Sequence, residues 1–307
     1  MPKVSNLPGL QKDYTIRKFG QKPGPLQFVN QLESIEVKLF ECPTPEQFRN
    51  MIAITLGNTW NDRLQYEFSE EEKDRMVDEV FRGELLPTAL EYIGINWTVA
   101  GLDLIGTTHL IRHRVMSFSS QCHGDRDTRD DRVMVKPGIM ANPEFFERYK
   151  KITEDARDLY VDMLDSGLVN GLDARTILPR NLEHFYVVKT NIRDAIGYVK
   201  MRLDEQIQTT EDNVVALKLW LEILKLYPWL KPYIDVNASA SFYVGQCKKQ
   251  KRNIFPPNER NDAFDWSEEQ FYHPIGRDEF PGGESYLAIR ESILKEIEAI
   301  EPKHWRA

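Results

Sequence analysis

Ile192, Ala195, Ile196 and Val199 recur at the three-and-four spacing of an amphipathic helix, and the next position on that stripe is Arg202. Asn191 is a good N-cap, so the spacing predicts a helix over residues 192–203 whose apolar face ends in a guanidinium. Arginine is rarely buried alone, because desolvating its charge is costly. Any fold for this chain must therefore place an anion or a carbonyl opposite Arg202. The residues leave two readings open. One is structural: a salt bridge to Asp204 or Glu205, or fraying at the helix end. The other is a bound ligand.

Arg112 poses the same question. It follows Leu104, Ile105, Thr108 and Ile111, which have helical spacing within residues 102–112, and it opens the run Arg112-His113-Arg114. One cation at a helix C-terminus is ordinary, since the macrodipole favours it. Here the run leads into residues 115–122, a stretch that includes Ser117, Ser119, Ser120, Gln121 and Cys122. Cations beside hydroxyl and backbone donors suit a phosphate or a flavin.

The rest of the chain bounds the class. With 307 residues, 41% hydrophobic and 29% charged, it is long enough for a substantial core and has a globular composition. No run of eighteen apolar residues predicts a membrane span, and the start lacks a signal-peptide core. Cys42, Cys122 and Cys247 are odd in number and far apart, which points to a reducing, cytoplasmic setting. A net charge of −8 disfavours nucleic acid as a partner, and Asp residues interleave with the arginines of residues 112–132.

Strand and helix signals are mixed, which predicts an α+β (α/β) fold. Residues 35–40 read as a strand. Capping boxes open helices at Thr44, expected to run to Leu56 before Gly57, and at Ser69, expected to stop at Gly83. Residues 91–99 and 184–188 read as strands. Helices are expected over 142–166, 174–178, 212–226 and 285–298. Residues 1–33 read as an arm, ordered only if docked, and residues 249–284 as a long polar loop. The aromatics Trp229, Trp266, Phe271, Tyr272 and Trp305 read as core or subunit contacts, and residues 247–252 as a solvated basic patch.

Arg112-His113-Arg114, followed after seven residues by a small side chain, resembles the signature of flavin-dependent thymidylate synthases. In that family the last residue is Ser; here it is Cys122. Thr88 and Glu91 fall at the Thr and Glu of the family's E-T-P-F-E-H segment. Residues 174–182 resemble A-R-x-x-L-P-x-N-L, Asn191-Ile192-Arg193 resembles N-A-R, and residues 201–208 resemble L-R-x-D-x-x-A-Q. The resemblance spans residues 35–235, leaving residues 1–34 and 236–307 as N- and C-terminal extensions.

The resemblance implies a twisted central sheet flanked by helices, in a homotetramer with active sites between subunits. It implies FAD, with NADPH and methylenetetrahydrofolate as co-substrates, and methylation of a pyrimidine nucleotide monophosphate at C5, dUMP to dTMP. Thr88, Arg112, His113, Arg114, Asn191 and Gln206 would face FAD. His109, Ser120, Cys122, Arg175 and Arg202 would hold the nucleotide. Arg202 would also be catalytic, because a guanidinium on a base carbonyl stabilises charge developing in the ring.

Departures cluster on the nucleotide side. The family's E-x-S-x-R-Y loop is here Ser120-Gln121-Cys122-His123-Gly124-Asp125, its Gln before the signature is His109, and a flavin-contacting His is Gln206. Arg126 or Arg129 could replace the missing loop arginine, or residues 125–132 could be self-paired charge. The pattern also fits another acceptor, such as UMP, dCMP or a modified dUMP, or hydroxymethyl transfer. Two further classes compete: a zinc site of His109, His113 and His123, and a non-catalytic interaction protein on the same fold. Cys122 reads as a packing substitute for Ser rather than a nucleophile. Cys122→Ser is therefore expected to retain turnover; complete loss with flavin binding intact would contradict this.

Overall fold

The computed structural model describes residues 20–60, 62–63, 67–82, 87–121, 127–203, 208–237 and 282–302. The chain runs β1 (Phe28–Asn30), α1 (Gln31–Ser34), β2 (Glu36–Phe40), α2 (Pro45–Trp60), α3 (Glu70–Arg82), β3 (Gly94–Leu102), α4 (Leu104–Leu110) and β4 (Ser117–Ser120). It continues with β5 (Val133–Val135), α5 (Pro137–Met140), α6 (Pro143–Ser166), α7 (Gly171–Ala174), β6 (His184–Asn191), α8 (Ile192–Arg202), α9 (Thr210–Leu226) and α10 (Gly283–Ala299). Short 3-10 turns cover Pro87–Tyr92, Arg175–Ile177 and Pro228–Tyr233. The class is α+β.

Four strands form one antiparallel sheet in the order β2-β3-β6-β4. Along β3 the residues alternate, and Ile95, Trp97 and Val99 point into the core. Tyr186 and Val188 of β6 do the same. Against this sheet lies α9, buried on almost every side from Glu211 to Leu224 and packed on β2, α4, α8 and α10. A helix apolar all round belongs in the middle of a core. Tyr286, Ile293, Leu294 and Ile297 of α10 join that core from the C-terminal stretch.

The N-terminal stretch docks. β1 pairs in parallel with β5, and Leu32 of α1 enters the main core. The guanidinium of Arg129 is fully buried against the carboxylates of Asp127 and Asp165 and also donates to the Gln21 carbonyl. Arg157 donates to the Gly24 carbonyl at 2.9 Å.

Both capping boxes form. Thr44 N–H donates to Gln47 Oε1 at 2.8 Å, Ser69 N–H donates to Glu72 Oε2 at 2.8 Å, and each hydroxyl accepts in return. The expected end of α2 at Leu56 is corrected: the helix continues to Trp60. Gly57 is not a cap. A Cβ there would lie 2.9 Å from the Phe68 ring, so glycine is needed for close packing. The strand expected at 91–99 begins at Gly94, because residues 87–92 form a 3-10 turn. The helix expected over 102–112 ends at Leu110, started by the Asp103 side chain. β1, β4 and β5 were not expected; they are three or four residues long, too short for periodicity to register. Gly83, and the loop expected at 249–284 up to residue 281, lie outside the described residues.

Gly101 sits at a register shift in β3 with φ +78°, and a Cβ there would meet the Ser34 carbonyl oxygen at 2.1 Å. Gly101→Ala is expected to lower stability by about 3 kcal/mol in chemical denaturation, combining backbone strain with a steric clash. A loss below about 1 kcal/mol would show that α1 can move away from β3.

Candidate functional site

Arg202 ends α8 and turns towards α4 and α9. Its Nη2 donates to the His109 carbonyl at 2.8 Å, and its Nη1 lies 3.5 Å from Asp212 Oδ2 and donates to Gln208 Oε1. The same Asp212 oxygen accepts from His109 Nδ1 at 2.9 Å. Asp212 is 3% exposed, so one buried carboxylate joins a helix end to a helix interior. The open question at Arg202 thus has its structural partner: Asp212, eight residues past Asp204. Asp204 and Glu205 lie outside the described residues.

The guanidinium is not fully occupied. Its Nε is buried without a hydrogen-bond partner among the described residues, and its carbon lies 5.7 Å from the centre of the Tyr198 ring. The Tyr198 hydroxyl is also buried without a partner. Burial, with the Asp212 carboxylate adding to it, pushes that phenol well above its ordinary range. Two buried polar atoms in one cluster are thus left unsatisfied beside the Asp212 carboxylate.

His113 packs edge-on against Tyr198, with ring centres 5.3 Å apart. Burial lowers its imidazole below the ordinary 6.5, and the nearby Arg202 adds to this; Asp194 opposes through its charge and a backbone hydrogen bond. His113 lies in the turn beyond α4, so His109 and His113 do not share a helix face as their spacing suggested. No group of three metal-ligating side chains occurs among the described residues.

A second ionic cluster adjoins the first. Lys136 contacts Asp103, the cap of α4, at 3.1 Å, and also contacts Glu211. Glu211 and Asp212 are consecutive residues in the first turn of α9, so that turn grips α4 at both of its ends. A carboxylate at a helix N-terminus is further stabilised by the macrodipole.

The remaining expected residues divide. Arg112 and Arg114 are exposed in the turn after α4 and form no ion pair with a described residue. Ser120 is exposed at the end of β4, Thr88 is exposed in the 3-10 turn before β3, and Arg175 is exposed in the turn after α7. None of these three forms a hydrogen bond or ion pair with the Arg202 cluster among the described residues. Asn191 caps α8, accepting from Asp194 N–H at 2.9 Å and donating to its carboxylate at 2.7 Å. Cys122, His123, Arg126 and Gln206 lie outside the described residues. The suggestion that Arg129 replaces the loop arginine is corrected, because its guanidinium is consumed by Asp127, Asp165 and Gln21. Asp212 and Tyr198 were missed. An acidic residue in a first helical turn and a tyrosine on an apolar stripe carry no functional signal in a sequence.

The family model described as thymidylate synthase complementing protein matches residues 43–229. The chain belongs to this family. A flavin-dependent thymidylate synthase from Pyrococcus furiosus is 26% identical over 235 residues, covering 67% of this chain and 93% of that protein. The flavin-dependent thymidylate synthase of Pyrococcus abyssi is 26% identical over 231 residues, with the same coverage. The fold is similar to that of a UMP/dUMP methylase from Streptomyces cacaoi bound with 5-Br dUMP, with a TM-score of 0.53 at 16% identity over 66% of this chain and 94% of that one. The protein is therefore an enzyme and a divergent member of the flavin-dependent thymidylate synthase family.

In this family member the lowered His113 has a thermodynamic consequence. The unfolded chain takes up the His113 proton before the folded one does. The contribution of His113 to stability is complete above pH 6.5 and is lost as pH falls through its folded value. Between about pH 7.5 and pH 5.5, the melting temperature of His113→Asn is expected to fall less than that of the wild type. An equal or larger fall in the variant would contradict this.

Proposed function

We propose that this enzyme methylates C5 of a uridylate nucleotide, dUMP to dTMP, with FAD as bound flavin, NADPH as reductant and methylenetetrahydrofolate as one-carbon donor. The observation that carries this reading is Arg202. It is a guanidinium fixed by His109, Gln208 and Asp212, 12% exposed, with its Nε unpaired among the described residues. A cation preorganised in this way stabilises negative charge developing on a base carbonyl without reorganising during the reaction.

The residues present suit a flavin. Arg112 and Arg114 are exposed cations without described ion-pair partners, and such groups suit the pyrophosphate of FAD. His113, kept neutral by burial, can donate or accept a hydrogen bond at the ring system. After capping α8, Asn191 retains one amide hydrogen and one lone pair. Thr88 and Gln206 complete the flavin set, and His109, Ser120, Cys122 and Arg175 join Arg202 on the nucleotide. FAD, when bound and reduced, supplies the reducing equivalents. The protein's own residues hold the partners in register and exclude water.

We assign the catalytic unit to residues 35–235, flanked by the extensions 1–34 and 236–307, and the enzyme to the cytoplasm. No helix among the described residues is long and apolar enough to cross a membrane. The unit works as a homotetramer with sites between subunits, which accounts for Ser120 and Arg175 standing apart from Arg202 within one chain. An exposed stripe on α6 supports self-association: Phe145, Ile152 and Leu159 are seven residues apart and 58%, 67% and 48% exposed. The half of the helix up to Lys151 bears Arg148, Lys150 and Lys151 against Glu144 and Glu147, and the half beyond bears Glu154, Asp155, Asp158, Asp162 and Asp165 against Arg157, so an antiparallel copy sets the acidic half against the less acidic one. Ile152→Asp is expected to give a smaller particle by light scattering. An unchanged mass would remove α6 from the interface.

A second acceptor reading, UMP, dCMP or a modified dUMP, with methyl or hydroxymethyl transfer, is favoured by Arg129. Its buried pairing leaves the altered loop without that replacement for its phosphate arginine. Mass spectrometry decides between the readings. With FAD, NADPH and methylenetetrahydrofolate present, dUMP is expected to be the nucleotide that gains one methylene unit. Modification of UMP or dCMP alone would transfer the assignment to that acceptor, and no modification of any of the three would overturn the dUMP-to-dTMP reading.

A further inference from the structure

Asp212 and His109 form more than an anchor for Arg202. A carboxylate only accepts, so the 2.9 Å contact with Asp212 requires that His109 Nδ1 carry the hydrogen. Arg202, always charged, lies 3.5 Å from the same Oδ2, and with Nδ1 as the donor the nitrogen left to accept a proton is Nε2. Asp212 is buried and fixed by the first turn of α9, whereas the His109 side chain is 31% exposed and reaches solvent. A buried carboxylate orienting a partly exposed imidazole is the geometry of a general base and its positioning residue.

We propose that His109 is the proton acceptor of the C5 reaction, with Asp212 as the residue that positions it. The inference rests on the pyrimidine reading above. Once a one-carbon fragment from the folate is bonded to C5, that carbon must release its hydrogen as a proton. The bond to that carbon is made with the ring's C5=C6 pair, which leaves C6 electron-poor; the C5–H bond then breaks, its electron pair re-forms C5=C6 in conjugation with the C4 carbonyl, and the proton goes to His109 Nε2. The imidazolium then faces Asp212, and its proton leaves to water through the exposed edge of the ring. Arg202 donates to the His109 carbonyl at 2.8 Å, which keeps the guanidinium that faces the base carbonyl in register with the imidazole that takes the proton.

The test uses flavin-loaded, full-length protein and follows tritium released to water from C5-labelled nucleotide. His109→Ala leaves the Asp212–Arg202 pair in place and opens a space that added imidazole can enter. It is expected to lose at least about 100-fold in kcat with flavin content unchanged, a loss much larger than the rise in nucleotide KM. Added imidazole is expected to restore about tenfold of that loss. Asp212→Asn is expected to lower kcat by a comparable factor without imidazole rescue, since it misorients a ring that is still present. A kcat for His109→Ala within threefold of wild type, a loss confined to KM, or failure of imidazole to restore turnover would overturn the proposal. A wild-type protein that releases no tritium from any pyrimidine nucleotide would overturn the function itself and this step with it, an outcome visible before any variant is made.

Discussion

The buried carboxylate of Asp212 joins the two arms that meet at the site. α8 brings Arg202 from the end of the central sheet, and α4 brings His109 and the turn carrying Arg112, His113 and Arg114. Neither arm packs its polar groups against an apolar neighbour at no cost, because a guanidinium and an imidazole both lose water there. Asp212 compensates both by accepting from His109 and pairing with Arg202 through one oxygen. Removing one member of such a set is much worse than never having had it, since the others are left buried and unpaired.

The rest of the fold holds Asp212 in place. α9 is apolar on nearly every side, so its position is set by β2, α8 and α10 rather than by the site it serves. Glu211 carries that placement to Lys136 and the Asp103 cap of α4. A separate ionic lock at Arg129 and Arg157 fastens residues 20–30 beside β5. Charge is thus buried in two places with different uses. At Arg129 every described donor direction is satisfied, whereas at Arg202 and Tyr198 two buried polar atoms have no hydrogen-bond partner among the described residues.

Much of this was legible in the sequence. The position of Arg202 on an apolar stripe announced a buried cation, and the caps at Thr44, Ser69, Asn142 and Asn191 all form where expected. The signature around Arg112 led to the correct family. What escaped depends on contacts between distant residues. Asp212 is indistinguishable from any acidic residue in a first helical turn until α4 is packed against α9. Arg129 reads as surface charge because its partner Asp165 lies 36 residues away. Gly57 imitates a helix cap although its reason is the Phe68 ring. Strands of three residues such as β5 owe their existence to their neighbours.

The most direct test of Asp212 as the link is a double-mutant cycle on Asp212→Asn and Arg202→Lys. The dissociation constant of the nucleotide the enzyme modifies would be measured calorimetrically in flavin-loaded protein. If Asp212 acts on the nucleotide through Arg202, the two changes couple by about 1 kcal/mol or more. Additivity within about 0.5 kcal/mol would show that the two residues act independently, and would contradict a site organised around one buried carboxylate.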